Sequence, residues 1–501
     1  MRTRKAVLNV AFSLLSQLVS VVCGFLVPIA LIGSFGSDTY GAIGSITQFL
    51  GFIALLESGV GGVTRAALYG PLAKGDIGAV SSVVRATESF FRKVGIAFVP
   101  YAVAVAVAFP HITSYAGSRV VAWSLTAAIS AGILAQYLFG ITYSVLLQAD
   151  QRSYVTSGVQ IATTALNAAL VVSLVHAGLG VVQVEAASAV VFVLRPILLG
   201  AYVRRRYQLD GRAAPDRGAI KERWSGLGHH LAFFLRSNVS VVALSVLAPL
   251  SSVAVFNVYN LIAAGLQRLV NSFSSGLEAA FGNMIANGEG DALRTNFRAY
   301  ELISSTLVVC AFSTGIVSAV PFVEVYTSGV ADADYVRPAF SAALLLATAA
   351  YCLRLPYNSV TLAAGHYRQT CAGAFAEAAM AVVLTFALVP PMGVLGAALA
   401  LLAASVFRLV QYAVYSSRHI LERPISEFVG RCAYVAVGMG ASCALGLAIR
   451  PLFEFGGYLE WAAFAAAALA ASCAVAALMC AIFYRDDVRV VAGKLRFRCG
   501  R

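Results

Sequence analysis

The sequence predicts an all-α polytopic membrane protein, and three observations support this fold class. Apolar residues make up 59% of the 501 residues and charged residues only 12%, whereas a soluble domain has about 45–50% and about 25%. The mean hydropathy is +0.81. The apolar residues form about fourteen runs, each near the 20 or so residues that span a bilayer. This composition excludes a soluble enzyme, a nucleic-acid reader and a disulfide-stabilised secreted domain.

The predicted membrane helices follow one another along almost the whole chain. They cover residues 8–34, 41–64, 94–113, 120–147, 157–177, 184–203, 231–248, 254–284, 301–324, 339–363, 371–390, 393–416, 431–450 and 459–484. The first run is too long for the apolar core of a signal peptide and has no suitable cleavage site. We therefore expect it to be retained as the first membrane helix.

Positive charge is distributed unevenly between the loops. The chain has 36 Lys and Arg against 23 Asp and Glu, a net charge of +13. If the N-terminus lies inside, the inside segments hold 27 of the 36 cations and the outside loops three. Cytoplasmic loops retain Lys and Arg, so both termini are predicted to face the cytoplasm. The basic linker 204–230 and tail 485–501 are expected near the anionic inner leaflet.

Segment 79–94 has apolar residues at helical spacing, with charged residues on the opposite side. This pattern predicts an amphipathic helix on the inner membrane surface. The nine Cys form no C-x-x-C pair, and the six His have no metal-ligand spacing. Buried free thiols and an interface position for His229-His230 are therefore predicted, with no metal and no cofactor. No Walker loop or nucleophile–base pair indicates an enzyme.

Short matches recur at an offset near 215 residues. Gly75-Asp76 matches Gly290-Asp291, residues 148–152 match 364–368, and Arg204 matches Arg418. Because a unit holds six helices, the two units have the same orientation and form a parallel repeat. The predicted organisation is an N-terminal lobe (1–220), a C-terminal lobe (221–430) and two further helices with the tail (431–501). Such lobes are typical of transporters with a substrate site between them.

Polar residues form stripes on several predicted membrane helices, and a polar stripe must face protein or water. Arg suits phosphate oxygens, and amides suit sugar hydroxyls. The candidate substrate-binding residues are Arg268, Arg354, Asn271, Gln267, Asn260, Asn257, Asn358, Gln17 and Gln48. Pro356 is expected to kink the tenth helix. For the small-residue stripes of the first two helices, helix packing is the favoured interpretation.

The alternative for Arg268 and Arg354 is a structural ion pair, with Glu278 or Glu377 as the partner. The intramembrane acids Glu57, Glu278 and Glu377 are candidates for coupling to H⁺ or Na⁺, although Glu57 could instead pair with Arg65. A second set of arginines is predicted to snorkel toward the inner ends of their helices. These are Arg195, Arg236, Arg408 and Arg431.

The opening of the chain resembles bacterial polysaccharide-repeat (oligosaccharide) flippases of the multidrug/oligosaccharidyl-lipid/polysaccharide (MOP) exporter superfamily, most densely across residues 1–95. The residues that carry the resemblance are Asn9, Ser13-Leu14-Leu15-Ser16-Gln17, Gly24-Phe25-Leu26-Val27-Pro28, Phe35-Gly36, Tyr40-Gly41, Ser45-Ile46-Thr47-Gln48-Phe49-Leu50-Gly51, Leu56-Glu57-Ser58-Gly59-Val60-Gly61-Gly62 and Leu72-Ala73-Lys74-Gly75-Asp76.

The resemblance implies a MOP-type fold in the bacterial cytoplasmic membrane. It also implies translocation of an undecaprenyl-diphosphate-linked oligosaccharide from the inner to the outer leaflet. The implied partners are this lipid-linked oligosaccharide, membrane lipids and, as a further candidate, polysaccharide polymerase or export machinery. Related lipid II flippases have several Arg in the N-terminal lobe, whereas the first helix here has Gln17 and no Arg. We therefore expect the diphosphate contact mainly from Arg268 and Arg354.

Three other functions compete with this one. An ion-coupled exporter of drugs or metabolites would favour an acid in the first helix, which has none. A membrane polymerase would need a longer outside loop than any predicted here. A scaffold that assembles export machinery would leave the polar stripes without a purpose.

Overall fold

The computed structural model describes residues 2–57, 59–216, 218, 227–274, 277–485 and 487. The chain is 88% helical, and no strand occurs in the described ranges. The structure divides into two compact units, residues 1–254 and 255–501. The predicted tail 485–501, much of the linker 204–230 and Ser275 of the eighth-helix stripe lie largely or wholly outside the described residues.

The first unit contains nine α-helices and two short helical turns of other types among the described residues. They are α1 (Arg2–Phe35), α2 (Ser37–Gly51), a 3₁₀ turn (Phe52–Glu57), α3 (Val60–Lys74), α4 (Ile77–Ile112), α5 (Arg119–Ala135), a π turn (Gln136–Gly140), α6 (Ile141–Ala149), α7 (Ser153–His176), α8 (Val181–Tyr207) and α9 (Leu227–Leu247).

The second unit contains the remaining described helices, although the first turn of α10 belongs to the first unit. They are α10 (Leu250–Ser274), α11 (Leu277–Ala286), α12 (Gly290–Tyr326), α13 (Pro338–Leu353), α14 (Leu355–Ala363), α15 (Tyr367–Met392), α16 (Val394–His419), α17 (Ile425–Ile449), a 3₁₀ turn (Arg450–Leu452) and α18 (Tyr458–Phe483).

Fourteen helical segments are long and apolar enough to cross a membrane, so the predicted number is confirmed. The chain is a multi-pass membrane protein. Which side of the membrane the termini face stays a prediction. The predicted lobe boundary near residue 220 also stays a prediction, because it rests on the sequence repeat and not on the compact units.

The predicted surface helix at 79–94 is wrong, because this segment is the first half of the continuous helix α4. Its apolar residues, among them Val80, Val83 and Val84, are buried against Leu68 of α3 and Leu146 of α6. At about 1.5 Å per residue, a helix of 36 residues is about 54 Å long and exceeds the bilayer. The charged residues in this half fit the part of α4 beyond the hydrocarbon core.

Three predicted membrane helices are interrupted. The second ends in the 3₁₀ turn and continues as α3 after Gly59, whose φ is 86°. The eighth, predicted as one helix over 254–284, is divided into α10 and α11. The tenth is divided between Leu353 and Leu355, next to Pro356, which confirms the predicted kink. In the fourth, the π turn adds a residue to one turn, a feature often found at functional sites.

The backbone repeats at an offset of 213 to 215 residues. Ten described residues have a positive φ, and eight of them form four pairs. The pairs are Gly75 with Gly288, Gln151 with Gly365, Gly178 with Gly393, and Gln208 with Glu422. Each pair marks the same kind of helix end in the two units. The repeat therefore holds, but Gly288 and not Gly290 is the counterpart of Gly75.

Helix ends of the first unit meet at a cluster around Asp150, which we call the first-unit basic end. Lys5 Nζ lies 3.1 Å from Asp150 Oδ1, and Arg152 Nε donates to Asp150 Oδ2 at 2.6 Å. The Tyr207 hydroxyl also donates to this carboxylate. Partial burial opposes ionisation of Asp150, but these hydrogen bonds outweigh it and lower its pKa. The cluster joins the start of α1, the α6–α7 turn and the end of α8.

The second unit has a corresponding cluster around Glu301 of α12. Arg423 Nη2 donates to Glu301 Oε1 at 2.7 Å, and the Tyr357 hydroxyl donates to the same oxygen. Arg431 Nε lies 3.7 Å from Glu301 Oε2. Burial would lower the pKa of Arg423, but the bonds to Glu301 outweigh it and raise this pKa. The cluster fixes α12, α14 and the α16–α17 turn to one another.

We expect Asp150→Asn to destabilise the protein by about 1–2 kcal/mol, because a charged acceptor is lost at a partly screened site. The pKa of Asp150 is lower in the folded state, so its contribution is present above the unfolded pKa of about 3.9. It is lost as the pH falls through the folded pKa. Thermal unfolding in detergent at several pH values measures this difference.

The control for this measurement is Asp210→Asn, since Asp210 is exposed near the same end. We expect this control to change the unfolding temperature little. A destabilisation by Asp150→Asn that persisted unchanged at pH 2 would contradict the ionic explanation.

Candidate functional site in the first unit

The largest described cavity lies inside the first unit and has a volume of about 920 Å³. It opens where the 3₁₀ turn, the π turn and the start of α3 depart from regular helix. Its polar or charged lining residues are Thr47, Glu57, Arg65, Gln136, Tyr137, Glu185, Ser188, Arg195 and His230. Apolar residues such as Phe91, Phe192 and Phe234 complete the wall. A cavity of this size fits a polar head group of moderate size.

Arg195 is near the middle of α8, twelve residues before its end at Tyr207. That separation is about 18 Å along the helix, so the side chain does not reach the end and the predicted snorkelling is wrong. Its Nε donates to Thr163 Oγ1 at 3.1 Å and its Nη2 to Thr164 Oγ1 at 3.3 Å. The guanidinium also lies 5.5 Å from the ring centre of Phe192. No carboxylate of the described chain pairs with it.

Glu57 is the one predicted site residue that lines this cavity. It ends the 3₁₀ turn, and the Tyr137 hydroxyl of the π turn donates a hydrogen bond to its carboxylate. Arg65 at the cavity edge donates to Gln148 Oε1 at 2.9 Å. The alternative pairing of Glu57 with Arg65 is therefore not present. The two irregular turns bring Glu57 and Tyr137 together.

The other predicted residues of the first lobe lie outside the cavity lining. The Gln48 side chain hydrogen-bonds Asn238 of α9. Gln17 is exposed on α1. Their roles in substrate binding stay predictions.

In the second unit, Arg354 and Glu377 lie together in a buried ion pair. Arg354 Nη1 donates to Glu377 Oε1 at 2.7 Å, and Arg408 Nε lies 3.5 Å from Glu377 Oε2. Arg354, Glu377 and Arg408 are only 9%, 5% and 2% exposed. Arg408 also donates to the Tyr412 hydroxyl at 2.9 Å and does not snorkel. This is the structural ion pair that the sequence left open as the alternative for Arg354.

The predicted stripe of the eighth helix is divided between α10 and α11. Asn260 and Arg268 are exposed on α10, while Asn257, Gln267 and Asn271 are half-buried there. Glu278 is exposed on α11, so it does not continue a single helical face with Arg268. Among the described residues, Arg268 has no ion-pair partner. Asn358 is half-buried on α14, one turn after Arg354.

The repeat places the two mid-helix arginines in corresponding positions. Arg195 and Arg408 are 213 residues apart, and their partners Thr163 and Glu377 are 214 apart. These offsets equal those of the backbone repeat. The second unit thus neutralises its arginine with a carboxylate, whereas the first unit offers only hydroxyl groups. A guanidinium beside a cavity and without a carboxylate is suited to an anionic ligand.

Sequence reasoning missed Glu185 and underrated Arg195. Both lie in predicted membrane helices, and an ionisable residue there is itself a signal of function. The predicted sixth helix, 184–203, was too short, which placed Arg195 nearer the inner end than it is. The pairing of Arg408 with Glu377 needed the repeat offset to be known within about one residue.

Neither a protein-family profile nor a curated protein matches the sequence. Solved structures do match. A structure of the lipid II flippase MurJ in an inward closed conformation is 13% identical, with a TM-score of 0.72, over 96% of this chain and 100% of that one. An inward-facing multidrug resistance MATE family transporter of the MOP superfamily is 15% identical, with a TM-score of 0.64, over 80% and 94%.

An outward-facing MATE family transporter of the same superfamily also matches at 15% identity, with a TM-score of 0.55, over 82% of this chain and 95% of that one. The chain has the fold of these MOP transporters. This confirms the predicted fold class. The likeness concerns the fold, and the substrate has to be inferred from this chain's own residues.

The repeat predicts different effects for reciprocal substitutions at the two arginine sites. Glu377→Thr should destabilise the protein by about 3–5 kcal/mol, because two buried arginines lose their carboxylate. At the matching position, Thr163→Glu should be more stable than the size-matched Thr163→Gln, because its carboxylate pairs with Arg195. Thermal unfolding in one detergent compares all three variants with the wild type. Equal stability of Thr163→Glu and Thr163→Gln would contradict an unneutralised Arg195.

Proposed function

We propose that the protein is a membrane flippase for an undecaprenyl-diphosphate-linked oligosaccharide. It moves the repeat unit from the inner to the outer leaflet by alternating access, for synthesis of O-antigen, capsule or exopolysaccharide. The observation that carries this proposal is Arg195, a mid-membrane guanidinium that lines a cavity and has no carboxylate partner in the described structure. Its ligand is the diphosphate.

The chemistry of the site supports an anionic ligand. A guanidinium presents a planar set of donors that binds two phosphate oxygens at once. Arg65 adds a second cation at the edge of the same cavity. The cavity volume of about 920 Å³ fits the diphosphate and the first sugars, so the polyprenyl chain stays in the bilayer.

The predicted contact through Arg268 remains part of the proposal, since this exposed side chain has no carboxylate partner among the described residues. Arg354 is the weaker candidate, because Glu377 already binds it. The amide residues of the α10 stripe and Asn358 would contact sugar hydroxyls. Coupling to H⁺ or Na⁺ is proposed at Glu57 or Glu278, because Glu377 is engaged by two arginines.

The fold supports a transport function, since a structure described as a lipid II flippase shares it over nearly the whole chain. We place the protein in the bacterial cytoplasmic membrane with both termini in the cytoplasm. Its partners are membrane lipids and, as a further candidate, polysaccharide polymerase or export machinery.

An ion-coupled multidrug or metabolite exporter of the same superfamily is the second candidate function. Two carboxylates, Glu57 and Glu185, line the same cavity as the arginines and would suit a cationic drug. The matching MATE structures are described as multidrug resistance transporters. A polymerase or a scaffold has no comparable support in the described cavity.

The deciding experiment measures the pool of lipid-linked oligosaccharide in cells that lack the protein. The flippase proposal predicts that the intermediate accumulates and that the wild-type gene clears it. An unchanged pool, in a strain without a redundant flippase, would refute the polysaccharide function and favour small-molecule export.

Complementation with variants then locates the anion contact. Arg195→Gln and Thr163→Glu should both restore less than about a tenth of the clearance, because a bidentate charged contact of about 1.5–3 kcal/mol is lost or neutralised. Thr163→Gln should retain more clearance than Thr163→Glu. Arg268→Ala tests the second-unit contact, and the exposed Arg119→Gln is the charge-matched control. Full clearance by Arg195→Gln at equal expression would remove Arg195 from the substrate path.

A further inference from the structure

Glu185 is an intramembrane carboxylate with no assigned role. It is the fifth residue of α8, half-buried, and lines the first-unit cavity. It makes no hydrogen bond or ion pair with any described residue. It lies past the first turn, so the free N–H groups at the start of α8 do not bind it. An ionised carboxylate in such a place is costly unless a cation or a proton joins it.

The groups around Glu185 do not supply that cation. The elements packed against α8 are α5, the π turn, α6 and α7. Their charged and titratable residues toward the cavity or the Glu185 end, with those of the remaining cavity wall, are Arg119, Tyr137, His176, Glu57, Arg65, Arg195 and His230. None is within ion-pair distance of Glu185 in the described chain. Tyr143 of α6 contacts α8 near Gly200, toward its other end.

Arg195 is ten residues further along the same helix, about 15 Å from Glu185. At this distance the two side chains do not form an ion pair. A diphosphate held by Arg195 would still act on Glu185, because two negative charges 15 Å away, at an effective dielectric constant of about 20, favour its protonated form by roughly 40-fold.

We propose that Glu185 is a proton-binding site and that the proton and the anionic substrate occupy the cavity together. The proposal rests on the proposed function, because it needs an anionic ligand at Arg195. The neutral carboxyl group removes both the burial cost and the repulsion from the ligand. Binding of the anion therefore takes up a proton, and the substrate and the proton are carried in the same state of the protein.

The sign of this linkage is specific. If substrate binding takes up a proton, the affinity for the anion falls as the pH rises through the titration of Glu185. The fall is at most tenfold per pH unit and about 40-fold in total. A carboxylate that bound a substrate amine would give the opposite trend, since the amine needs the ionised form.

The experiment is isothermal titration of the purified full-length chain in nanodiscs with undecaprenyl diphosphate. Titration at several pH values, in two buffers of different ionisation enthalpy, counts the protons taken up. Wild type should lose affinity with rising pH and take up close to one more proton than Glu185→Gln. Glu185→Gln, which resembles the protonated form, should bind well at all pH values. The ligand's own protonation is common to both proteins and cancels in their difference.

Each outcome separates the two proposals. Glu324→Gln is the matched control, a half-buried glutamate in the second unit, and should behave as wild type. Equal proton uptake by wild type and Glu185→Gln would overturn the proton site, and so would affinity that follows Na⁺ in place of pH. Loss of binding in Glu185→Gln but not in Glu185→Asp would favour an amine site and overturn it too. No binding by wild type would instead count against the proposed function.

If Glu185→Gln does not fold, infrared difference spectra of wild type and Glu185→Asp replace it. A protonated-carboxyl band should grow when undecaprenyl diphosphate is added and should shift in the aspartate variant. Absence of that band in wild type would overturn the proposal.

Discussion

The structure depends on one constraint, the cost of leaving a charge unpaired inside a membrane. A guanidinium there needs a carboxylate, a set of hydrogen-bond acceptors or a wet cavity. Glu377 satisfies Arg354 and Arg408 of the second unit and joins the α13–α14 break to α15 and α16. Arg195 of the first unit has two threonine hydroxyls and a cavity. The same backbone position thus serves stability in one unit and ligand binding in the other.

The repeat turns this difference into a functional assignment. Two units with matching helix ends started from the same plan, so a difference at matching positions calls for a reason. A carboxylate at residue 163 would have closed the site around Arg195, as Glu377 does around Arg408. The first unit has a threonine there, and next to it the irregular turns at 52–57 and 136–140 open the cavity. The cavity therefore carries an open cation in an otherwise apolar setting.

The sequence predicted the fold class, the number of membrane helices, the repeat and the break at Pro356, because apolar length and backbone chemistry are local properties. The surface-helix prediction at 79–94 failed because a long helix that extends beyond the bilayer has the same amphipathic pattern. The pairing of Arg354 with Glu377 was one of two alternatives, and only packing decides between them. Glu185 and Arg195 could be flagged as intramembrane charges, but the absence of a partner is a three-dimensional property.

The most direct test of the central claim is an electron cryomicroscopy structure of the protein in nanodiscs with bound undecaprenyl diphosphate. The account predicts density for the two phosphates within hydrogen-bond distance of the Arg195 guanidinium, inside the first-unit cavity. Phosphate density at the Arg354–Glu377–Arg408 cluster, with an empty first-unit cavity, would contradict it.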